Sequence, residues 1–446
     1  MLLLASIVGI VRVAATLGLH ISFDYNEGWN AYHAMEAMSG QSPYPPPSSF
    51  MSNNYPPISF YIVGIIGRIL GDNIVAGRVV SLAAFIATAW GIFAQARVLG
   101  ADCPSAVFGA AFYMTVILFD YNYVGMNDPQ LLGQAFGMWG LYFSTLPRRA
   151  PHVAALLFAV AFFTKDNLIV QPVAALLWLL AVDRRAAVKL AGYGIAAGLA
   201  GILIFNFTYG QSLFEVLASP RVYSVTRAIA RFGGFLETAF IPIAASTVLF
   251  ARVPKDRSWR FCIIYLALSL GAGFVFLGGA GTAGNLLFDA IIALALAAAL
   301  SLKNTNPRAP LFGACFFVPA MAIIAFHAVT GSFYPRYWGD GAKLSVTARA
   351  IAAIHYQPGP VACDTLALCY WAGKPAEIDF FAMRQAIASG ARSPRALAHA
   401  LANRRYTLIV ADMNKEFAGS PEILDALHAN YYAGFSPSLG IFWHTR

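Results

Sequence analysis

Eleven apolar runs dominate this chain, at about 2 to 20, 75 to 97, 104 to 119, 129 to 146, 151 to 164, 168 to 182, 187 to 209, 233 to 252, 259 to 277, 284 to 301 and 309 to 328. They restrict the fold more than any motif does. A bilayer core offers no water to the backbone, so a spanning segment must satisfy its N–H and C=O groups internally, and a chain of such segments folds as helices. The expected fold class is a polytopic α-helical membrane protein with about eleven transmembrane helices. Several runs fall short of the roughly 20 residues that a perpendicular helix needs, so their ends must reach into polar neighbours or sit in thinned bilayer. With 59% hydrophobic and only 11% charged residues, the soluble multidomain, disordered and disulfide-scaffold classes are excluded. The formal charge of +9 does not point to nucleic acid, because Lys and Arg of a polytopic protein collect in short cytoplasmic loops for topological reasons.

A shorter run, 57 to 70, opens with Pro56-Pro57 and suits an interfacial or re-entrant helix. With that run lying flat, one side of the membrane holds Arg97, Arg148, Arg149, Arg184, Arg185, Lys189, Arg252, Lys255, Arg257, Arg260, Lys303 and Arg308. The other side holds Arg68, Lys165, Arg221, Arg227 and Arg231. This asymmetry obeys the positive-inside rule and puts the N-terminus in the cytoplasm. The connectors 21 to 74, 120 to 128 and 210 to 232, and everything after about 330, then face outward from a cytoplasmic membrane. The chain divides into a transmembrane domain, 1–330, and an extracytoplasmic domain, 331–446. Large outward connectors favour chemistry at the outer face over a secondary transporter or flippase, which binds at mid-membrane discontinuities.

From about 356 the composition turns mixed. VACD at 361–364, a helical stretch around 366–373, SPRALAHALANRR at 393–405, the strand-like YTLIVAD at 406–412 and then PEILDALHAN alternate as in a small α/β module. Ser393 is placed as N-cap and Pro394 at the first helical position. The module carries no catalytic constellation and is expected to shape access of an acceptor. The five cysteines show neither CxxC nor Cys/His metal spacing, but Cys363 and Cys369 are near enough in sequence for an oxidising compartment to join them.

The outward connectors hold the candidate chemistry. Asp24 and Glu27 open an amphipathic helix, either as a capping box or as carboxylates that take a proton from an acceptor. Asp128, before Pro129, is either a helix cap or a member of the same site, and Asp120 lies in the same connector. Lys165 sits on the side where positive charge is otherwise scarce, as a snorkelling lysine or a substrate contact. Arg221, Arg227 and Arg231 either meet lipid headgroups or clamp a phosphate; the last two, four apart, share a helical face. Asn285 and Asp289, also four apart, enter the membrane together, and an intramembrane acid is a site hypothesis by default. Tyr55, with Trp29, Tyr32 and Tyr44, offers a ring to stack on a sugar or to join an interfacial belt.

In chain order, NEGWNAYHAMEAMSGQSPY (26–44), NNYPPISFYIVGIIGRILGDNIVAGRVVSL (53–82), MNDPQLLGQAF (126–136), FTKDN (163–167) and GAGTAGNLLFD (279–289) resemble the GT-C superfamily of polyprenyl-phosphate-dependent glycosyltransferases, in particular the protein O-mannosyltransferase and aminoarabinose transferase group. The tail, VACDTLALCYWAGKPAEIDF, looks like the outward domain of such enzymes, so the resemblance covers nearly the whole chain. It implies inverting transfer of one sugar from a polyprenyl-phosphate donor to a lipid, glycan or protein acceptor, with membrane lipids around the site. It implies a catalytic base in the first outward loop, and here Asn26-Glu27 replaces the usual Asp-Glu pair, leaving Asp24 or Glu27 for the role. Asp128 matches the second expected acid and Lys165 an expected lysine. The arginines match by loop only. No cofactor is required; the scattered acids leave a divalent cation open.

Overall fold

The structure is a computed structural model and describes residues 1–252, 256–302, 308–332 and 340–446. Lys255 and Lys303 of the charge tally lie outside the described residues. Each of the eleven apolar runs is a helix. In order, the helices are α1 (Leu2–Thr16), α2 (Asn26–Ser39), α3 (Ile58–Leu70), α4 (Asn73–Val98), α5 (Cys103–Asp120), α6 (Gln130–Thr145), α7 (Pro151–Thr164), α8 (Val170–Val182), α9 (Arg184–Tyr209), α10 (Leu213–Leu217), α11 (Val225–Arg252), α12 (Arg257–Leu277), α13 (Phe288–Ser301, after a 3-10 turn at Gly284–Leu287) and α14 (Ala309–Thr330). Seven of these helices, α4, α5, α9, α11, α12, α13 with its leading turn, and α14, are long and apolar enough to cross a bilayer. Helices α1, α6, α7 and α8, the other runs, are shorter. The 13 residues of α3 rise about 20 Å, well short of a roughly 30 Å hydrocarbon core.

The bundle is organised around α13. Every one of its residues is buried, as expected of a helix that is apolar all round. It packs on α5, α12, α11, α4 and α14. The approach to α5 needs a glycine, since a Cβ on Gly109 would lie 2.4 Å from the carbonyl oxygen of Ala295. Helix starts are fixed by aspartates: the side chains of Asp72, Asp102, Asp183 and Asp256 accept from the first-turn amides of α4, α5, α9 and α12, which otherwise have no partner.

Beyond α14 the chain forms the expected α/β module. It comprises α15 (Gly341–His355), β1 (Val361–Cys363), α16 (Leu366–Trp371), α17 (Phe380–Ala388), α18 (Arg395–Ala402), β2 (Leu408–Val410), α19 (Met413–Glu416), α20 (Pro421–Asn430), β3 (Tyr431–Ser436) and β4 (Gly440–Thr445). The sheet order is β1-β2-β4-β3, with β1 parallel to β2 and the remaining pairs antiparallel. Helix α18 starts within a residue of the expected place, and the Ser393 hydroxyl accepts from the Arg395 amide. Cys363 and Cys369 form a disulfide that ties the end of β1 to α16.

The module is a cap docked on the first connector. A Cβ on Gly28 would meet the backbone nitrogen of Ala367 at 2.1 Å, so α2 lies backbone against backbone on α16, an approach that only glycine permits. Tyr32 donates to the Lys374 carbonyl, and Trp371 to Asp72. Phe50, from the first connector, sits inside the cap's own core beside Phe380 and Leu401.

Candidate active site

The two first-loop acids have different fates. Glu27 is fully buried and ion-paired with an equally buried Arg78. Its Oε1 accepts from Arg78 Nε at 2.7 Å and the Asn127 amide at 3.2 Å; its Oε2 accepts from Arg78 Nη2 at 2.7 Å and the Phe23 amide at 2.8 Å. The other Arg78 donors go to the carbonyls of Leu17, Leu19 and Ile21, and its guanidinium lies 3.8 Å over the Phe23 ring. All five guanidinium N–H groups are thus used. The pair locks α1's exit, α2 and α4 together. The capping box is present in altered form: Glu27 reaches back to the amide of Phe23, and Asp24 accepts from the amide of Asn26, 3.0 Å away. Asp24 is half-buried. Loss of water raises its carboxyl above the ordinary range, with the charges of Asp128 and Glu27 adding and Lys165 opposing.

A cavity of about 270 Å³ is lined by Asn26, two residues after Asp24, and by Asn54, Tyr55, Tyr123, Asp128, Lys165, Asp166, Asn167, Arg221, Thr282 and Asn285 among others. Lys165 at the end of α7 pairs with Asp128 before α6, Nζ to Oδ1 at 2.8 Å, in a nearly dry setting. The same ammonium lies 4.8 Å from the Tyr55 ring centroid. Asp128 also accepts from the amide of Gln130, the first residue of α6, with Pro129 between them as N-cap, but its second oxygen, buried, has no partner among the described residues. Asn285 and Asn167 both donate to Gln130 Oε1. Burial raises the Asp166 carboxyl as well, with Lys165 opposing the shift. Arg221 lines the cavity from the loop before α11 and makes no hydrogen bond or ion pair among the described residues. The arrangement places acceptors for a proton and two cations for an anion around one space at the ends of the membrane helices.

Comparison with known proteins agrees with that architecture. Residues 54–209 match the family model for dolichyl-phosphate-mannose-protein mannosyltransferases. No curated protein sequence matches the chain. Among solved structures, ArnT from Cupriavidus metallidurans bound to undecaprenyl phosphate aligns with a TM-score of 0.65 and 12% identity, over 99% of this chain and 97% of that one. Its apo form aligns with a TM-score of 0.65 and 14% identity over 98% and 97%. The Archaeoglobus fulgidus oligosaccharyltransferase tethered to an acceptor peptide gives a TM-score of 0.50 and 12% identity over 100% of this chain and 74% of that one. The chain has the GT-C fold. Within this GT-C fold, Asp128, Lys165, Asn285, Tyr55 and Arg221 converge on the cavity, whereas Asp24 does not line it but feels the charges of Asp128 and Lys165.

Several expected residues stand elsewhere. Arg227 donates to the carbonyls of Val222 and Gly278, and Arg231 to the carbonyl and hydroxyl of Thr282. They share a helical face, as expected, but it braces the 278–282 loop and no phosphate clamp forms in the cavity. Asp289 lies below the floor, accepting from the Tyr265 hydroxyl at 2.6 Å, which in turn takes a hydrogen bond from Gln171. Asp120, at the end of α5, does not line the cavity, and Tyr44 packs on Phe205 and Tyr209. Among the described residues no cluster of three His, Cys, Asp or Glu side chains is placed to hold a metal ion. The residues that sequence reasoning missed are Arg78, Asp166 and the cap side chains. Arg78 had a signal, an arginine six residues into an apolar helix, where an unpaired charge is costly.

Proposed function

We propose that this GT-C protein is an integral-membrane glycosyltransferase. It moves a single sugar from a polyprenyl-phosphate donor to a lipid, glycan or protein acceptor at the outer face of the cytoplasmic membrane. The observation that carries this reading is the cavity itself, with carboxylates and two cations sharing one space at the helix ends beneath the cap. Asp24 is the base. Glu27 has four donors on its two oxygens, whereas Asp24 has one donor on its carboxylate and a proton affinity raised by burial, the direction that suits a general base. Arg221 and Lys165 stabilise the phosphate as it leaves, and Asp128 holds Lys165 in place. Attack from the face opposite the phosphate inverts the anomeric centre.

The donor's tail has a surface at hand. An apolar cavity of about 350 Å³ between α7, α8 and α9 is lined by Phe158, Phe162, Phe163, Leu168, Ile169 and Leu176 among others. Leu168 belongs to it while Lys165 to Asn167 line the polar cavity, so the turn 165–168 separates a lipid-like space from a phosphate-like one. The Cys363–Cys369 disulfide fits an oxidising compartment and supports placing the cap outside, with α3 lying in the interface. The test compares lipids and glycans of cells with and without the gene, then supplies purified protein with the accumulated lipid. Loss of one sugar with build-up of its lipid-linked form is expected; an unchanged glycan profile with an altered distribution of lipid between leaflets would overturn the reading in favour of a flippase.

A further inference from the structure

Off the main cavity a smaller polar pocket, of about 30 Å³, runs beneath α17. Its walls include Tyr25, Trp29 and Phe381 with Asp379 and Gln385, and it shares Asn26, Asn54, Tyr55 and Arg221 with the main cavity. The space suits one polar substituent and is far too small for a sugar ring. Arg221 stands at the junction of the two. A polyprenyl-phosphate sugar has a fixed order, lipid, phosphate, sugar. With the tail beyond the turn 165–168 and the phosphate at Lys165 and Arg221, the ring is left facing the cap pocket.

Resting on the function proposed above, we propose that the pocket beneath α17 is a specificity subsite that reads one hydroxyl or amino substituent of the transferred sugar through Asp379 and Gln385. The Asp379 carboxylate is fixed in place, since its Oδ1 accepts from the Ala382 amide, capping α17, and its Oδ2 from the Ser52 hydroxyl at 3.3 Å. Further lone pairs remain for a donor in the pocket. Gln385 spends its oxygen on the Val222 amide at 3.2 Å, which also ties α17 to the loop that carries Arg221. Asp379 is buried, so a substituent lacking the right donor leaves a buried acceptor unpaired, and that penalty is what makes such a site selective.

The experiment measures binding to the full chain in nanodiscs. The probes are undecaprenyl phosphate alone and its esters with a hexose, a 6-deoxyhexose and a 4-aminopentose. Wild type is expected to prefer one ester over bare undecaprenyl phosphate and over the others. Asp379→Asn, which keeps a side chain able to cap α17, and Gln385→Glu, which keeps an oxygen for the Val222 amide while removing the NH₂ donor and is made separately in case the first misfolds, are each expected to cut that preference by about tenfold with bare-lipid affinity unchanged. A preference that survives both variants, equal loss for bare lipid and esters, or no preference in wild type overturns the inference alone. Failure of wild type to bind undecaprenyl phosphate at all overturns the glycosyltransferase reading, and the subsite with it.

Discussion

Glu27→Gln separates a structural acid from a catalytic one. The carboxylate accepts four hydrogen bonds, two from Arg78 and one each from the Phe23 and Asn127 amides. A glutamine has one oxygen, so its NH₂ must face either the Arg78 Nη2 and Phe23 donors or the Arg78 Nε and Asn127 donors. Two donors lose their acceptor, and a buried guanidinium loses its counter-charge. Removing one partner of a buried pair costs about 3–5 kcal/mol, against about 1 kcal/mol for an ordinary helix cap. The expected result is a large fall in membrane yield and in the detergent melting temperature. The double variant Glu27→Gln, Arg78→Gln should lose less than the sum of the two single losses, because neither charge is then stranded. Asp24→Asn is the contrasting case. Asparagine still accepts from the Asn26 amide, so folding should persist while transfer falls by about 10²- to 10⁴-fold, the range of a general base. Full transfer by Asp24→Asn, together with a stable but inactive Glu27→Gln, would refute this reasoning and make Glu27 the base.

Further outcomes follow from the same geometry. Because burial raises the Asp24 carboxyl, wild-type turnover should fall as pH drops through that raised value. The same shift makes Asp24's contribution to stability fullest below its unfolded value and lost as pH rises through its folded one, so Asp24→Asn should be no less stable than wild type at pH 7, which a melting series from pH 4 to 8 checks. Asp128→Asn should impair transfer strongly by freeing Lys165, whereas Arg227→Gln should leave donor affinity closer to wild type than Arg221→Gln does, as titration with undecaprenyl phosphate would reveal. Gly28→Ala drives a methyl into the Ala367 backbone and should loosen the cap, seen as faster proteolysis after α14. Reporter fusions in the 147–150 connector and at Gly390 should fall on opposite sides of the membrane; finding both on one side would remove the topology.

What could be read from the sequence was what is local. Hydropathy marks each helix of the bundle because each must satisfy its own backbone, and the alternation after 356 marks the α/β cap. Asp128 and Lys165 are legible in the sequence as residues of connectors on one side of the helices, since charge parity orients whole connectors, and the structure pairs them. Arg227 and Arg231 were correctly placed on one helical face, but periodicity cannot tell which loop that face meets; here it meets Gly278 and Thr282. Asp289 was expensive enough to stand out, yet the cost is met within the bundle by Tyr265. The role of Asp379 and Gln385 depends on how the cap sits on the first connector, a contact between segments more than 300 residues apart.

The same distinction explains why Asp24 and Glu27, three residues apart, differ so much. Glu27 stands in the first turn of α2 and Asp24 two residues before its start, and the direction each takes is set by what α4 brings. Arg78 arrives fully buried, with three carbonyls of the 17–21 segment already on its guanidinium, and would be a stranded charge without a carboxylate. Glu27 therefore turns inward, and its full complement of donors leaves no lone pair for an acceptor's proton. Asp24, on the shorter side chain before the helix, does not bond Arg78 and stays half-buried and short of donors. In the mechanism proposed above the base must be both fixed and unsatisfied; the lock at Glu27 holds the segment that carries Asp24, and the single donor on its carboxylate leaves lone pairs for a proton.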